Sequence, residues 1–223
     1  MTEIVDRSSP PSTAGKIFHW AMAYDLLLRV FWGRSEQSYR DKVVHLAGLT
    51  AGESVLDVGC GTGTLAITAK WHVGRTGKVI GIDASPEMIA RARGKAARTA
   101  PDVDFQIAAA EALPFSEATF DVVLSTTMLH CLPEDARRRS VREMRRVLKP
   151  GGRLLIVDFG GPVETRHSLI AHLRHHRHFD LHEVLPALGA AGLERIQVGA
   201  LGFSDLQFVL ARKHATAAVR GDH

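Results

Sequence analysis

Two acidic residues, each closing an apolar run, frame a glycine-rich turn in this chain. Val55-Leu56-Asp57-Val58 breaks into Gly59-Cys60-Gly61-Thr62-Gly63, and the next apolar run, Lys78-Val79-Ile80-Gly81-Ile82-Asp83, ends in a second acid. Glycines let the backbone approach a ligand that a Cβ would block, and they leave N–H groups unsatisfied at the start of the following helix. A carboxylate at the end of the second strand is placed to accept hydrogen bonds from ribose hydroxyls. Together these residues predict a nucleotide-like ligand.

Spacing alone leaves two such ligands open. Gly61-Thr62-Gly63-Thr64-Leu65-Ala66 also reads as G-x-G-x-x-A, the pattern of a dinucleotide site. Asp57 weighs against it, because a carboxylate beside the turn repels an anionic pyrophosphate and suits the sulfonium and ammonium of S-adenosylmethionine.

The elements that must position these residues carry further motifs in order. They are Gly81-Ile82-Asp83-Ala84-Ser85-Pro86-Glu87-Met88-Ile89, Ala110-Glu111-Ala112-Leu113-Pro114-Phe115, Phe120-Asp121-Val122-Val123-Leu124-Ser125 and Arg146-Val147-Leu148-Lys149-Pro150-Gly151-Gly152-Arg153-Leu154. With Val55 to Gly63, the series resembles the successive motifs of class I S-adenosylmethionine-dependent methyltransferases over about Tyr24 to Lys213. The resemblance is nearest the branch of ubiquinone and menaquinone C-methyltransferases and some phospholipid N-methyltransferases.

That resemblance implies a three-layer, doubly wound, Rossmann-like α/β fold: a seven-stranded sheet, mostly parallel, with one antiparallel strand in a C-terminal hairpin. It implies S-adenosylmethionine as cofactor, S-adenosylhomocysteine as product, and transfer of the methyl to an oxygen, nitrogen or carbon of a small, lipophilic acceptor. Asp57, Gly59, Cys60, Gly61, Thr62 and Gly63 would hold the methionine part, with Asp83 on both ribose hydroxyls and Ala84 and Met88 near the adenine. Ala109 stands where relatives carry an Asp that receives the adenine amino group. Adenine would then lean on the Ala110 N–H and on Glu111. Ser125 and Thr126 would face cofactor and substrate, and His130, just beyond them, is the one histidine placed to act as a base on the acceptor. Tyr24, with Asp25 and Arg40, resembles a segment that folds over the cofactor. Two competing readings are an NAD-type oxidoreductase and, because of Ala109, a catalytically silent cofactor-binding protein.

Composition agrees with one α/β domain. At 223 residues and 45% hydrophobic residues the chain can bury a substantial core. Cys60 and Cys131 are the only cysteines, so no disulfide framework is expected and a reducing cytoplasm is the expected compartment. No apolar stretch reaches the roughly 18 uncharged residues of a membrane span, and no secretory signal is read. A formal charge of only +4, with arginines spread over several helices, disfavours nucleic acid as substrate.

Along the chain, residues 1–15 read as a disordered tail and residues 16–48 as a helical lid. The methyltransferase domain is expected over residues 49–213, with a basic tail over 214–223. Phe18, Trp20, Phe31 and Trp32, with Lys16 and Arg29, suggest that the lid touches a membrane surface. Expected helices span 37–47, 64–72, 86–99, 133–148 and 180–191. Expected strands span 54–58, 78–83, 103–108, 120–125, 153–159, 195–199 and 206–212. The strands are almost continuously apolar, as in a parallel sheet covered on both faces. His167, His172, His175, His176, His178 and His182 form a conspicuous cluster, but the interspersed Arg166, Arg174 and Arg177 oppose a divalent metal, and none is expected. Oligomeric state is not legible.

Overall fold

The computed structural model describes residues 35–160, 179–203 and 205–215. Tyr24, the tails at 1–15 and 216–223, lid residues 16–34 and five histidines of the cluster, His167 to His178, lie outside the described residues.

Helix α1 (Ser35–Ala47) leads into β1 (Ser54–Val58), α2 (Thr64–Val73), β2 (Lys78–Asp83), α3 (Pro86–Thr99), β3 (Asp104–Ile107) and β4 (Phe120–Thr126). Then come a 3₁₀ turn (Leu129–Cys131), α4 (Glu134–Val147), β5 (Leu148–Phe159), a second 3₁₀ turn (Leu181–Val184), α5 (Leu185–Ala190), β6 (Leu193–Ala200) and β7 (Leu206–Lys213). The seven strands form one sheet in the order β3-β2-β1-β4-β5-β7-β6. Pairings among β1 to β5 are parallel, and β7 runs antiparallel to both β5 and β6. This is the expected doubly wound sheet, and its order reverses between β1 and β4.

The two-residue period of a strand sorts its side chains between two cores. Val55, Val79, Val122, Leu124, Leu155 and Val157 pack with α1, α2 and α3 on one face. Leu56, Val58, Ile82, Val123, Leu154, Ile156 and Val209 pack with α4 and α5 on the other. Asp57 and Asp83 therefore fall on the α1 face, and Ser125 and Asp158 on the α4 face.

Helix α1 is clasped to the sheet from below. The Arg153 guanidinium donates to the Ala47 carbonyl, to the Gly48 carbonyl at 2.6 Å and to both oxygens of Glu53 at 2.8 Å. Tyr39 meets Phe203 edge-on at 5.8 Å, which ties α1 to the loop between β6 and β7.

Three local expectations are corrected. The helix expected over 180–191 is split into the second 3₁₀ turn and α5, because Pro186 cannot donate a helical hydrogen bond and so sits in the first turn of a new helix. Strand β5 begins at Leu148, before the turn expected at 149–152: Leu148 pairs with Phe120, and an irregularity carries the strand through Gly151 at φ +77° to the Val122–Arg153 pair. Strand β6 extends to Leu193 and Ala200, beyond the expected 195–199.

Candidate active site

Ligands of doubly wound sheets lie outside the carboxyl ends of the strands, at the point where the order reverses. Here that point is the β1–β4 junction, and the sequence-nominated residues of the described chain gather around it. The loop leaving β1 turns through Gly59, Gly61 and Gly63 at φ +75°, +52° and +77°. The Gly59 and Cys60 N–H groups both donate to the Ile82 carbonyl at 2.9 Å, which fastens the loop to β2. Two of these glycines are demanded by packing as well as by φ. A Cβ on Gly59 would lie 2.4 Å from Met128 Cγ, and one on Gly63 would lie 2.6 Å from the Phe105 ring.

Asp57 is fully buried, and neither of its carboxylate oxygens accepts a hydrogen bond of good geometry from the described residues. Burial pushes its pKa from the usual 3.8 up to about 7, and the Asp83 charge adds to the rise. The Arg40 guanidinium and the Ala66 N–H pull it back. Arg40 reaches this face from α1, where it pairs with Glu36 at 2.9 Å while its Nε is buried without a partner among the described residues. A buried carboxylate so weakly hydrogen-bonded is costly to ionise, by about 1–3 kcal/mol or more, so this arrangement suits a site that receives a cation.

Asp83 holds the loop to the next turn. Its Oδ2 accepts the Gly61 N–H and its Oδ1 the Ser85 N–H, both at 2.9 Å, and each oxygen retains a lone pair. Burial raises its pKa and these two N–H groups oppose the rise. Ser85 caps α3, its Oγ accepting the Met88 N–H at 3.4 Å; Met88 is buried and Ala84 half-buried beside them. Lys95 of α3 secures the other end of the loop, donating to Thr62 Oγ1 at 3.0 Å and Thr64 Oγ1 at 2.6 Å. Burial, with the Asp57 and Asp83 charges, pushes the Cys60 thiol well up, so Cys60 serves the loop as a small side chain and not as a nucleophile.

Beyond β3, Ala109 is buried, and the Ala112 N–H returns to its carbonyl at 3.3 Å; Ala110 and Glu111 are half-buried in that turn. On the α4 face, Ser125 is fully buried with its hydroxyl unpartnered among the described residues, and Thr126 ends β4 half-buried. His130 follows in the 3₁₀ turn. Its Nδ1 lies 2.8 Å from Asp158 Oδ1 and its backbone N–H donates to Asp158 Oδ2 at 3.2 Å. Desolvation lowers the His130 pKa, but the hydrogen bonds and charge of Asp158, with Cys131, outweigh it and lift the ring to about 9. The near-neutral imidazole expected from the sequence is thus replaced by one that carries its proton at pH 7. Phe159 stands edge-on to the ring at 5.0 Å and Phe179 is tilted at 6.4 Å.

Asp158 and Met128 were not nominated from the sequence, and Arg40 only as part of the lid. A signal for Asp158 existed: it closes the apolar run Leu154 to Val157 as Asp57 and Asp83 close theirs. Met128 had none, since its place on Gly59 is made by the turn after β4. Of the sequence-nominated histidines, His182 binds Asp180 Oδ1 through Nδ1 at 2.9 Å on the surface, and no metal-holding group of side chains occurs among the described residues.

In strand order, glycine loop and the acids closing β1 and β2, the chain resembles the class I S-adenosylmethionine-dependent methyltransferases. Residues 55–152 match a family described as a methyltransferase domain. Ubiquinone/menaquinone biosynthesis C-methyltransferase UbiE of Pseudomonas putida is 35% identical over 162 residues, 71% of this chain and 62% of that protein. The match thus spans under two thirds of that relative's length. An S-adenosylmethionine-dependent methyltransferase from Aquifex aeolicus superposes with a TM-score of 0.67 at 28% identity, covering 78% of this chain and 88% of that one. The phosphoethanolamine N-methyltransferase 2 of Haemonchus contortus, solved with S-adenosylhomocysteine, has a TM-score of 0.71 at 18% identity, covering 87% of this chain and 57% of that one, and shares the fold. S-adenosylmethionine is the cofactor that the comparisons support, and the residues present fit it: its ammonium would pair with the buried Asp57 carboxylate, beside which the pyrophosphate of a dinucleotide would be repelled. The NAD-type reading is set aside on that ground.

Proposed function

We propose that the protein transfers the methyl of S-adenosylmethionine to a carbon of a small, lipophilic, ring-bearing acceptor. The observation that carries the reading is the buried, unpartnered Asp57 behind the glycine loop. The likeness to UbiE supports carbon as the target and a quinone-type ring as the acceptor.

When bound, the cofactor supplies an electrophilic methyl on a sulfonium that is already a good leaving group. The chain's residues do the rest. Asp57 receives the ammonium of the methionine part and Arg40 its carboxylate. Gly59 to Gly63 let the backbone close on that part, and Asp83 accepts from the ribose hydroxyls. Ala84 and Met88 bound the adenine, and the Ala110 N–H donates to it, because Ala109 has no side-chain acceptor. Ser125 and Thr126 line the side from which the acceptor approaches, and Phe159 and Phe179 offer it aromatic surface. His130 accepts the proton that the acceptor loses, and Asp158 holds the imidazole in the tautomer and orientation for that step.

Residues 16–48 close over the cofactor in this reading, with Tyr24 in the closing segment. Their aromatic and basic residues also bring the protein to a membrane, where a lipophilic acceptor resides. Among the described residues no helix is long and apolar enough to cross one. Vesicle co-sedimentation that is unchanged after deletion of residues 1–33 would remove the membrane contact.

The test of function is transfer of labelled methyl from S-adenosylmethionine into a total cell extract, partitioned between organic and aqueous phases, with a His130→Ala protein alongside. Label in the organic phase, lost in the variant, supports the reading. Label confined to the aqueous phase discards a lipophilic acceptor.

A further inference from the structure

Thr127 is held where its residue type is least at home. Its φ is +48°, in the left-handed region, where a β-branched side chain is strained. One other non-glycine residue among those described, Ala118 at φ +54°, shares the region, in an exposed turn before β4, at the opposite end of that strand. Thr127 lies at the β1–β4 junction, one residue beyond the end of β4.

The surroundings over-determine this conformation. The Thr127 N–H donates to the Val157 carbonyl at 2.7 Å and so prolongs the β4–β5 pairing past Thr126. The next residue, Met128, sits where a Gly59 Cβ would be. Three residues on, ring and N–H of His130 both bind Asp158. Gly or Asn would follow the same path without strain, so backbone geometry alone does not account for a threonine here. Its side chain is half-buried, and its hydroxyl makes no hydrogen bond among the described residues. Strain retained at a functional edge points to use of the side chain.

We propose that Thr127 is a specificity residue of the acceptor site, its hydroxyl forming a hydrogen bond to a polar atom of the acceptor ring. The inference rests on the methyltransferase reading above. It predicts an acceptor with a hydroxyl or carbonyl oxygen next to the methylated carbon, as in a hydroquinone.

The test compares Thr127→Gly, Thr127→Asn, Thr127→Val and Thr127→Ser in the full chain. The readouts are thermal melting, calorimetry with S-adenosylhomocysteine, and labelled methyl transfer to a short-chain naphthohydroquinone and to a total lipid extract. The Gly and Asn variants melt about 2–4 °C higher as the strain is released. S-adenosylhomocysteine affinity is unchanged in all four. Loss of one hydrogen bond lowers kcat/KM for the acceptor about 3- to 10-fold in the Gly and Val variants, while Ser keeps it within about twofold. Two results overturn the proposal: Gly and Asn variants that melt no higher than the parent, or a Val variant that transfers as the parent does. Label entering the lipid extract but not the naphthohydroquinone defeats the quinone reading alone, and the variants are then ranked on that fraction. Where the parent labels neither, the function above fails and the melting comparison decides whether Thr127 is strained.

Discussion

Both oxygens of Asp158 bind His130: Oδ1 its ring Nδ1 at 2.8 Å and Oδ2 its backbone N–H at 3.2 Å. The pair joins the turn after β4 to the end of β5, and the Phe159 N–H adds a third donor to Oδ1 at 2.9 Å. The hydrogen bonds and charge of this fully buried carboxylate hold the proton on the ring opposite.

This pair gives activity and stability opposite pH trends. His130 at about 9 must lose its proton to act as a base, so kcat/KM is expected to climb through pH 7–9 and level off above. The stabilising effect of the pair runs the other way. The folded pKa is raised, so its contribution is fully present below the ordinary 6.5 and lost as pH rises through about 9. Rate profiles of the parent and Asp158→Asn check both: in the variant the rise should move toward pH 6–7 and the maximum rate fall, because the ring is less well oriented.

Asp57 makes cofactor affinity pH-dependent. Its carboxyl is raised to about 7, so in the empty site it adds stability that is complete below about 3.8 and lost as pH climbs through about 7. An ammonium group needs the ionised form. S-adenosylhomocysteine affinity should therefore fall by up to about tenfold per pH unit below 7, and the melting-temperature gain on binding should grow from pH 6 to pH 8. Calorimetry on Asp57→Asn should show weak binding without this slope.

Gly59→Ala should damage the site through two separable effects. The methyl meets Met128 at 2.4 Å and the residue must keep φ +75°, a combined destabilisation of about 2–4 kcal/mol. Adding Met128→Ala should restore only the steric part. Thermal melts of both proteins measure the split, and full recovery in the double variant would show that φ matters little there.

Ala109→Asp should strengthen cofactor binding. A carboxylate there would receive the adenine amino group, worth about 0.5–1.5 kcal/mol, or roughly 2- to 10-fold in affinity for S-adenosylhomocysteine. Ala109 is only 4% exposed, so the gain appears only if the new side chain reaches the adenine without disturbing Leu113 and the turn beside it. Calorimetry against S-adenosylhomocysteine, with a melt to check folding, is the measurement.

Much of this protein was legible in its sequence because the relevant physics is local. Apolar runs ending in Asp57 and Asp83, glycines at the bend, a Ser85-Pro86 helix start and the alternation of strand and helix each depend on neighbours a few residues away. Together with the resemblance of the ordered motifs to class I methyltransferases, they were enough to expect the sheet, the cofactor and its loop. Where local signals compete, as at Pro186 within an otherwise helical run or at Gly151-Gly152 beside a strand, the boundaries moved. The tertiary structure alone decided what lies across the sheet. Side-chain alternation set Asp57 against Arg40 of α1 on one face, while β4–β5 register set His130 against Asp158 on the other. Burial then raised one carboxyl to about 7 and the Asp158 pair lifted the imidazole to about 9. Those shifts, and the strained turn at Thr127, come from desolvation and from contacts between residues distant in the chain, which no local pattern encodes.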